Sequence, residues 1–276
     1  MNVIEIVARR VKRSLKLADD SRFVCAIRPA YSSMLERFYG RKGLSRTIHG
    51  EQPIRLLPSA RQIPEEYEPQ VLDLLKQTIT PGAVVLDVGA NVGVSAMMMA
   101  RWCGPEGHIY AFEPSPNPKQ LLTEHLRMNG LSDRVTVCPT ALSDAEGTTT
   151  FFASGISGKS ALSGVNIGQS SEQVQVPVTT IDAYCQSKNI KPSLIKIDVE
   201  GFEFNVLNGA RNTLKKFRPS ILVELHPMNW PALGIDVGWA AEQLRGLNYI
   251  ATAVEKQADV MSEHGHIMLH PIEGVF

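Results

Sequence analysis

Hydrophobic positions along this chain follow two patterns that alternate. Short continuous apolar runs bounded by Gly or Pro are typical of buried strands, and the stretches between them carry apolar residues at helical spacing. The predicted strands are 83–88, 107–113, 134–138, 193–198, 220–225, 248–254 and 266–271. The predicted helices are 65–78, 92–102, 117–128, 202–216 and 237–246. This alternation predicts an α/β protein with a mostly parallel sheet covered on both faces.

The last two predicted strands break the alternation. No segment long enough for a helix lies between 248–254 and 266–271, so we expect these strands to form an antiparallel pair at one edge of the sheet. The predicted fold is therefore a mostly parallel sheet with an antiparallel edge strand. Residues 63–276 hold almost all of these elements and are predicted to form one domain.

Residues 1–62 are less regular and are predicted to be an N-terminal extension, helical first and then hairpin-like around Thr47–Gly50. Thirteen of the 28 Lys and Arg residues lie in the first 61 residues, against five acids. Basic residues between Arg9 and Lys16 share the predicted helix with an apolar stripe. Such a helix either contacts an anionic membrane surface or docks on the protein with its charged face in solvent, and the sequence leaves both open.

Composition narrows the class of protein. Hydrophobic residues make up 43% of the chain and charged residues 20%, as in ordinary globular domains, and no run of about 18 apolar residues could span a bilayer. The N-terminus lacks the apolar core of a signal peptide. Cys25, Cys103, Cys138 and Cys185 are scattered without C-x-x-C spacing, so we expect free thiols and a cytoplasmic location.

The segment Val84–Val94 joins a buried-type strand to a helix through an acidic residue and a glycine-spaced turn. Glycines there let the backbone turn sharply and approach a ligand closely. A dinucleotide fingerprint needs small residues at the positions that Asn91 and Val94 occupy, so the pyrophosphate interpretation fails. The spacing D-x-G-x-x-x-G, which begins at Asp87, resembles the first motif of S-adenosylmethionine (SAM) methyltransferases.

A second acid follows at the end of the next predicted strand. Glu113 lies 24 positions after Gly89 and closes the apolar run Ile109–Phe112. A carboxylate at this place can accept hydrogen bonds from both ribose hydroxyls of a nucleoside. Glu113 and the glycine turn together therefore favour a nucleoside-containing ligand.

The third motif is the most distinctive. The predicted strand 193–198 contains the start of K-I-D-V-E-G-x-E, which spans Lys196–Glu203, and R-P-S-I-L-V-E-L-H follows at Arg218–His226. Together with D-V-G-A-N-V-G and the segment Ala141–Asp144, this pattern resembles the FkbM family of SAM-dependent methyltransferases. The resemblance runs from about Tyr67 to His226, with no comparable match before about residue 60 or after about 230.

The resemblance implies a Rossmann-like class I methyltransferase sheet, SAM as cofactor, and methyl transfer mostly to hydroxyls of sugars, glycolipids or macrocyclic natural products. It also implies site residues. Four residues would surround the methionine end of SAM: Asp87, Gly89, Asn91 and Gly93. Glu113 would hold the ribose, and Ala141 and Asp144 would border the adenine. Asp198 would lie near the transferred methyl and the acceptor.

Methylation of a hydroxyl needs a base to take the acceptor's proton. His226 is the first candidate because an imidazole titrates near neutrality, and Asp198 is its rival, although Asp198 could instead bind the amino group of SAM. Asp198, Glu200, Glu224 and His226 lie at neighbouring strand ends and could in principle hold a divalent metal. Spacing alone does not establish convergent ligands, so no metal is predicted.

Other functions stay open at this point. The SAM motifs do not select the acceptor, so an N-methyltransferase or a peptide or lipid-headgroup methyltransferase is an alternative, as is a non-catalytic binding module with a SAM-type fold. Nucleic acid is disfavoured as a partner because the basic tract lies outside the acidic core. Residues 154–171 contain four Gly and six Ser and form either a mobile cover over the site or a plain surface loop.

Overall fold

A computed structural model of the chain describes Arg10 and residues 22–153, 172–256 and 259–272. The predicted basic helix within residues 3–16 lies outside these residues apart from Arg10, and the Gly/Ser segment 154–171 lies wholly outside them. Among the described helices, none is both long and apolar enough to cross a bilayer.

Strands and helices alternate through most of the described chain. The strands are β1 (Leu44–Arg46), β2 (Ile54–Leu56), β3 (Val84–Val88), β4 (His108–Phe112), β5 (Val135–Cys138), β6 (Ala141–Leu142), β7 (Gly147–Ala153), β8 (Glu172–Thr179), β9 (Leu194–Ile197), β10 (Ser220–Leu225), β11 (Tyr249–Ala253) and β12 (Gly265–Pro271). The α-helices are α1 (Arg22–Tyr39), α2 (Pro69–Thr78), α3 (Val94–Trp102), α4 (Pro116–Met128), α5 (Ile181–Lys188), α6 (Glu203–Asn208), α7 (Arg211–Phe217) and α8 (Val237–Gly246). Short 3₁₀ helices occupy Pro58–Ala60 and Trp230–Leu233.

Seven strands form the central sheet, in the order β11-β12-β10-β9-β3-β4-β5. Strands β10, β9, β3, β4 and β5 pair in parallel, whereas β12 pairs antiparallel with both β10 and β11. The predicted antiparallel pair at one sheet edge is therefore confirmed, and β12 lies one position in from that edge. This order, with β3 beside the centre, brings the carboxyl ends of β3, β4, β9 and β10 together.

Two apolar clusters cover the two faces of this sheet. Residues of β3 alternate between them, with Val85 in one cluster and Leu86 and Val88 in the other. A strand that is buried on both faces gives a continuous apolar run in the sequence. The pattern therefore located both ends of β3, β4, β9 and β10 to within one residue.

Several elements differ from the prediction. The helix predicted over 202–216 is two helices, α6 and α7, because the chain turns at Gly209, where a Cβ would collide with the carbonyl oxygen of Ser143. The helix predicted from Glu65 begins at Pro69. The small sheet of β6, β7 and β8 and the helix α5 were not predicted.

The predicted hairpin in the N-terminal extension is confirmed, since β1 and β2 pair antiparallel with Leu44 opposite Leu56. The hairpin packs on the main domain. Ile54 and Leu56 belong to the same apolar cluster as Val85, and the backbone N–H of Leu57 donates to His125 Nε2 at 2.9 Å. The part of the predicted N-terminal extension that begins with this hairpin therefore shares the hydrophobic core of the main domain.

Candidate functional site

The glycine turn connects β3 to α3 at the carboxyl edge of the sheet. Asp87 is fully buried on β3, and burial raises the pKa of its carboxyl, although the neighbouring Lys196 opposes that shift. Neither Asp87 carboxylate oxygen has a hydrogen-bond partner among the described residues, and neither does the buried Asn91 Oδ1. A buried polar atom left unpaired costs free energy, so these atoms mark a place where a hydrogen-bonding ligand would be stabilised.

Glu113, immediately after β4, is held by the turn itself. Its Oε2 accepts from the backbone N–H of Asn91 at 2.8 Å, and its Oε1 accepts from the backbone N–H of Ser115 at 2.7 Å. Burial raises the pKa of Glu113, and the two backbone hydrogen bonds partly oppose this. Each carboxylate oxygen can accept a further hydrogen bond, so a fixed bidentate acceptor is presented beside the turn.

The two glycines of the motif are required chiefly by packing. Both have φ of +86°. A Cβ at Gly89 would overlap the carbonyl oxygen of Asp198, and a Cβ at Gly93 would overlap the Leu122 side chain. Gly89 therefore lets the β3 turn and the β9 end touch each other through their backbones, which couples the first motif to the third.

One cavity of about 380 Å³ connects these features. One side of it is lined by the turn, Glu113 and the segment after β5, and the other by the ends of β9 and β10. The lining residues used below are Tyr67, Glu68, Asp87, Gly89, Asn91, Gly93, Glu113, Ala141, Lys196, Asp198, Glu200 and Glu224. This cleft at the sheet edge thus has a nucleoside-type end and an acidic end.

The acidic end is organised around a buried lysine. Lys196 of β9 is 4% exposed, lies opposite Asp87 in the β3–β9 register, and places Nζ 3.5 Å from Asp198 Oδ2. Burial lowers the pKa of Lys196, but the surrounding carboxylates of Asp198, Asp87 and Glu68 outweigh it and keep the pKa raised. Burial also raises the pKa of Asp198, and the positive charge of Lys196 offsets this increase only in part.

His226 lies behind this end and does not line the cavity. Its Nδ1 is 2.8 Å from Glu203 Oε1, and the other oxygen of the fully buried Glu203 accepts from Trp230 Nε1 at 3.1 Å. Burial lowers the pKa of His226, but the Glu203 hydrogen bond and the charges of Glu203, Asp198 and Glu200 raise it to about 9 overall. At neutral pH such an imidazole is protonated on both ring nitrogens. It then has no nitrogen free to take the acceptor's proton, which argues against His226 as the base.

The predicted site residues fall into two groups. Asp87, Gly89, Asn91, Gly93, Glu113, Ala141 and Asp198 line the cavity, whereas His226 and Asp144 do not. The Asp144 carboxylate instead accepts from Ser143 Oγ at 3.1 Å and from Asn205 Nδ2 at 3.2 Å.

Several further lining residues were not assigned to the site from the sequence, among them Tyr67, Glu68 and Lys196. Lys196 was named only as part of its motif, and Tyr67 and Glu68 lie immediately before α2. Glu68 has a φ of +41°, unusual outside glycine, and no sequence signal announces it.

The strand order and the turn define a class I methyltransferase fold. The family model described as Methyltransferase FkbM domain matches residues 87–268. The chain belongs to the FkbM methyltransferase family. The match extends past residue 230, where the motifs gave no resemblance, and ends within β12.

Three relatives are similar to this chain over part of their length. The hexuronic acid methyltransferase AglP of Haloferax volcanii is 32% identical over 164 residues, covering 58% of this chain and 62% of the relative. The 2-O-methyltransferase NoeI of Sinorhizobium fredii is 27% identical, covering 54% and 65%. The 31-O-demethyl-FK506 methyltransferase FkbM of Streptomyces tacrolimicus is 31% identical, covering 55% and 68%. The alignment therefore spans less than two thirds of the first two relatives' length.

Among solved structures, a SAM-dependent O-methyltransferase from Thermotoga maritima aligns with a TM-score of 0.49 and 14% identity, covering 78% of this chain and 69% of that chain. A TM-score below 0.5 adds nothing to the fold assignment, which rests on the sheet and the family match.

The cavity fits SAM, the cofactor of this family. SAM carries an ammonium, an adenine amino group and two ribose hydroxyls, all hydrogen-bond donors. The unpaired oxygens of Asp87 and Asn91 and the fixed carboxylate of Glu113 are acceptors in that cavity.

Proposed function

We propose that this protein is a SAM-dependent O-methyltransferase that acts on a sugar hydroxyl. The observation that carries the proposal is the single cavity in which the glycine turn and Glu113 share one space with Asp198, Glu200 and Glu224. A ligand bound along the turn would point its reactive end toward those carboxylates. The cofactor, when bound, supplies an electrophilic methyl group on its sulfonium.

The turn would orient that cofactor. We assign Glu113 to the ribose hydroxyls, because both of its oxygens are fixed by backbone N–H groups and each can accept once more. Asp87 and Asn91 would receive donors from the methionine end. Ala141, at the start of β6, would border the adenine. Alignment of the two reactants by such contacts supplies a large part of the rate of a methyl transfer.

Asp198 is the base that the geometry favours over His226. It lines the cavity, whereas His226 lies behind it. The raised pKa of Asp198, caused by burial, makes its carboxylate a better proton acceptor than an ordinary aspartate. Lys196, 3.5 Å away, would hold the carboxylate in place and balance its charge.

A neutral, hydroxyl-rich acceptor suits the acidic end. Glu68, Asp198, Glu200 and Glu224 line it with Lys196, and carboxylates accept hydrogen bonds from hydroxyls but repel a polyanion. This surface supports the exclusion of nucleic acid. The names of the relatives, a hexuronic acid methyltransferase, a 2-O-methyltransferase and a 31-O-demethyl-FK506 methyltransferase, also favour oxygen as the methylated atom.

We also propose that residues 63–276 form the catalytic domain and 1–62 an extension that helps select the acceptor, since Gln62 lines the cavity at the boundary. A reducing compartment, the cytoplasm, is the proposed location. Its support is that Cys103, Cys138 and Cys185 are buried free thiols.

The test is a kinetic comparison of Asp198→Asn with the wild type on a panel of methyl glycosides and macrocyclic alcohols. If Asp198 is the base, kcat falls by about 10²- to 10⁴-fold while the SAM dissociation constant stays within about twofold. Asp133→Asn, at an exposed aspartate outside the cavity, is the matched control. Loss of SAM affinity with Asp198→Asn would instead assign Asp198 to the cofactor, and full activity would remove it from the mechanism.

A further inference from the structure

A second group of chemistry-bearing side chains lies at the antiparallel end of the sheet. Strands β10 and β12 pair so that Glu224 is directly opposite His266. Two positions along each strand, past the end of β10 and before the start of β12, His226 and His264 lie side by side with ring centroids 5.0 Å apart. Because side chains two residues apart on a strand share a face, these four residues form one patch.

The patch converges on Glu224. His264 Nε2 is 2.7 Å from Glu224 Oε1, and His226 Nε2 is 3.7 Å from the same oxygen. His266 Nε2 is buried 3.3 Å from Glu224 Oε2 but lacks hydrogen-bond geometry. The ligand atoms of Glu224, His226 and His264 all lie within 4.8 Å of one another.

The outer nitrogens of two of the histidines are held by carboxylates. His226 Nδ1 is 2.8 Å from Glu203 Oε1, and His266 Nδ1 is 2.7 Å from Glu255 Oε1. In metal sites a ligating histidine almost always donates its second ring N–H to such a group, which fixes its orientation. Here both histidines are oriented so that Nε2 faces Glu224.

We propose that Glu224, His226 and His264 bind a divalent first-row transition metal ion, with His266 able to complete the set. Imidazole nitrogens suit zinc, cobalt or iron, whereas magnesium prefers oxygen ligands alone. Zinc ligands lie about 2.0–2.1 Å from the ion, so neighbouring ligand atoms in a tetrahedron are roughly 3.3 Å apart. The observed separations reach that arrangement with small side-chain rotations, and the ion would displace the hydrogens on the Nε2 atoms of His226 and His264.

The site adjoins the acidic end of the cavity. Glu224 lines the cavity, and Glu200, which also lines it, has Oε2 3.6 Å from His226 Nε2. A cation there would lie next to the acceptor and could lower the pKa of its hydroxyl. This last role rests on the proposed function, whereas the metal site itself does not.

Metal binding is therefore measured in an assay that does not depend on methyltransferase activity. Protein lacking a polyhistidine tag is treated with chelator, dialysed and titrated calorimetrically with Zn²⁺ and with Mg²⁺, and Co²⁺ is added to follow its ligand-field absorption. We expect about one Zn²⁺ per chain at micromolar or tighter affinity, a Co²⁺ spectrum typical of four or five ligands, and little Mg²⁺ binding.

The deciding variant is His264→Ala, whose side chain is 45% exposed, so the fold is expected to survive; circular dichroism verifies this. It should weaken Zn²⁺ binding by at least about tenfold. His270→Ala, at an exposed histidine on β12, should bind Zn²⁺ like the wild type. No Zn²⁺ binding by the wild type, equal Mg²⁺ binding, or unchanged affinity in His264→Ala would overturn the proposal in favour of a histidine–carboxylate ion-pair network.

Discussion

Gly89 is the residue through which the first and third motifs touch, so its replacement tests whether they form one site. Gly89→Ala introduces two separate costs. The residue has φ of +86°, where an L-amino acid costs about 1–2 kcal/mol. Its Cβ would also lie 1.8 Å from the Asp198 carbonyl oxygen, a distance that must grow to at least 3.0 Å.

The second cost is a displacement of the β9 end. The required movement is 3.0 minus 1.8, or 1.2 Å, and the atoms that must move are backbone rather than a flexible side chain. Overpacking of this kind costs about 1–3 kcal/mol, so the total loss of unfolding free energy should be about 2–5 kcal/mol. Misplacing a reacting group by about 1 Å also lowers turnover by about a hundredfold.

Gly82→Ala separates the two costs. Gly82 has φ of +81°, but nothing lies within 4 Å of the Cβ position, so it carries the conformational cost alone. Urea unfolding and SAM calorimetry of both variants are the assays. We expect Gly89→Ala to lose more stability than Gly82→Ala and at least tenfold in SAM affinity, with Gly82→Ala binding SAM normally. Equal stability losses and equal affinities would refute the coupling of turn and β9 end.

Two further predictions concern single side chains. Glu113→Gln turns an NH₂ group toward the backbone N–H of one neighbour, so SAM affinity measured by calorimetry should fall by about 10- to 100-fold. The control Glu106→Gln, at an exposed glutamate, should leave SAM affinity unchanged. Unchanged SAM affinity in Glu113→Gln would exclude the ribose role of Glu113. His125 donates from Nδ1 to the Val92 carbonyl, accepts the Leu57 N–H at Nε2, and has a pKa lowered by burial. Its stabilising contribution is present above about pH 6.5 and is lost as pH falls toward its lower folded-state pKa, by up to about 1.4 kcal/mol per pH unit. Urea unfolding between pH 5 and 8 should show this decline relative to His125→Gln, and parallel curves would contradict it.

The parts of the fold that sequence predicted are those fixed by local pattern. β3 and β9 are buried on both faces and therefore appear as uninterrupted apolar runs, and the antiparallel pair at the sheet edge followed from the short connection before β12. The cofactor end of the site was predicted for the same reason, because Asp87 and Glu113 each end a recognisable strand.

What sequence did not predict depends on contacts distant along the chain. Gly209, at the break between α6 and α7, packs against the carbonyl of Ser143, and the three-stranded sheet pairs β6 with β8, which lie on either side of segment 154–171 in the sequence. His226 was proposed as the base from the titration range of an imidazole, and its partner Glu203 lies 23 positions earlier in the chain, a contact that no local pattern indicates. The spacing of His264 and His266, two residues apart, was the available sequence signal for the proposed metal site. Only the register between β10 and β12 shows that these histidines lie against Glu224.

The central claim is that this cavity binds SAM through the buried acceptors of the glycine turn. Calorimetric titration of the purified protein with SAM and S-adenosylhomocysteine tests it most directly, with the isosteric Asp87→Asn beside the exposed Asp133→Asn as control. We predict micromolar binding of both ligands by the wild type and the control, and binding weakened at least tenfold in Asp87→Asn. A folded wild-type protein that binds neither ligand, or an Asp87→Asn variant with unchanged affinity, would contradict the account.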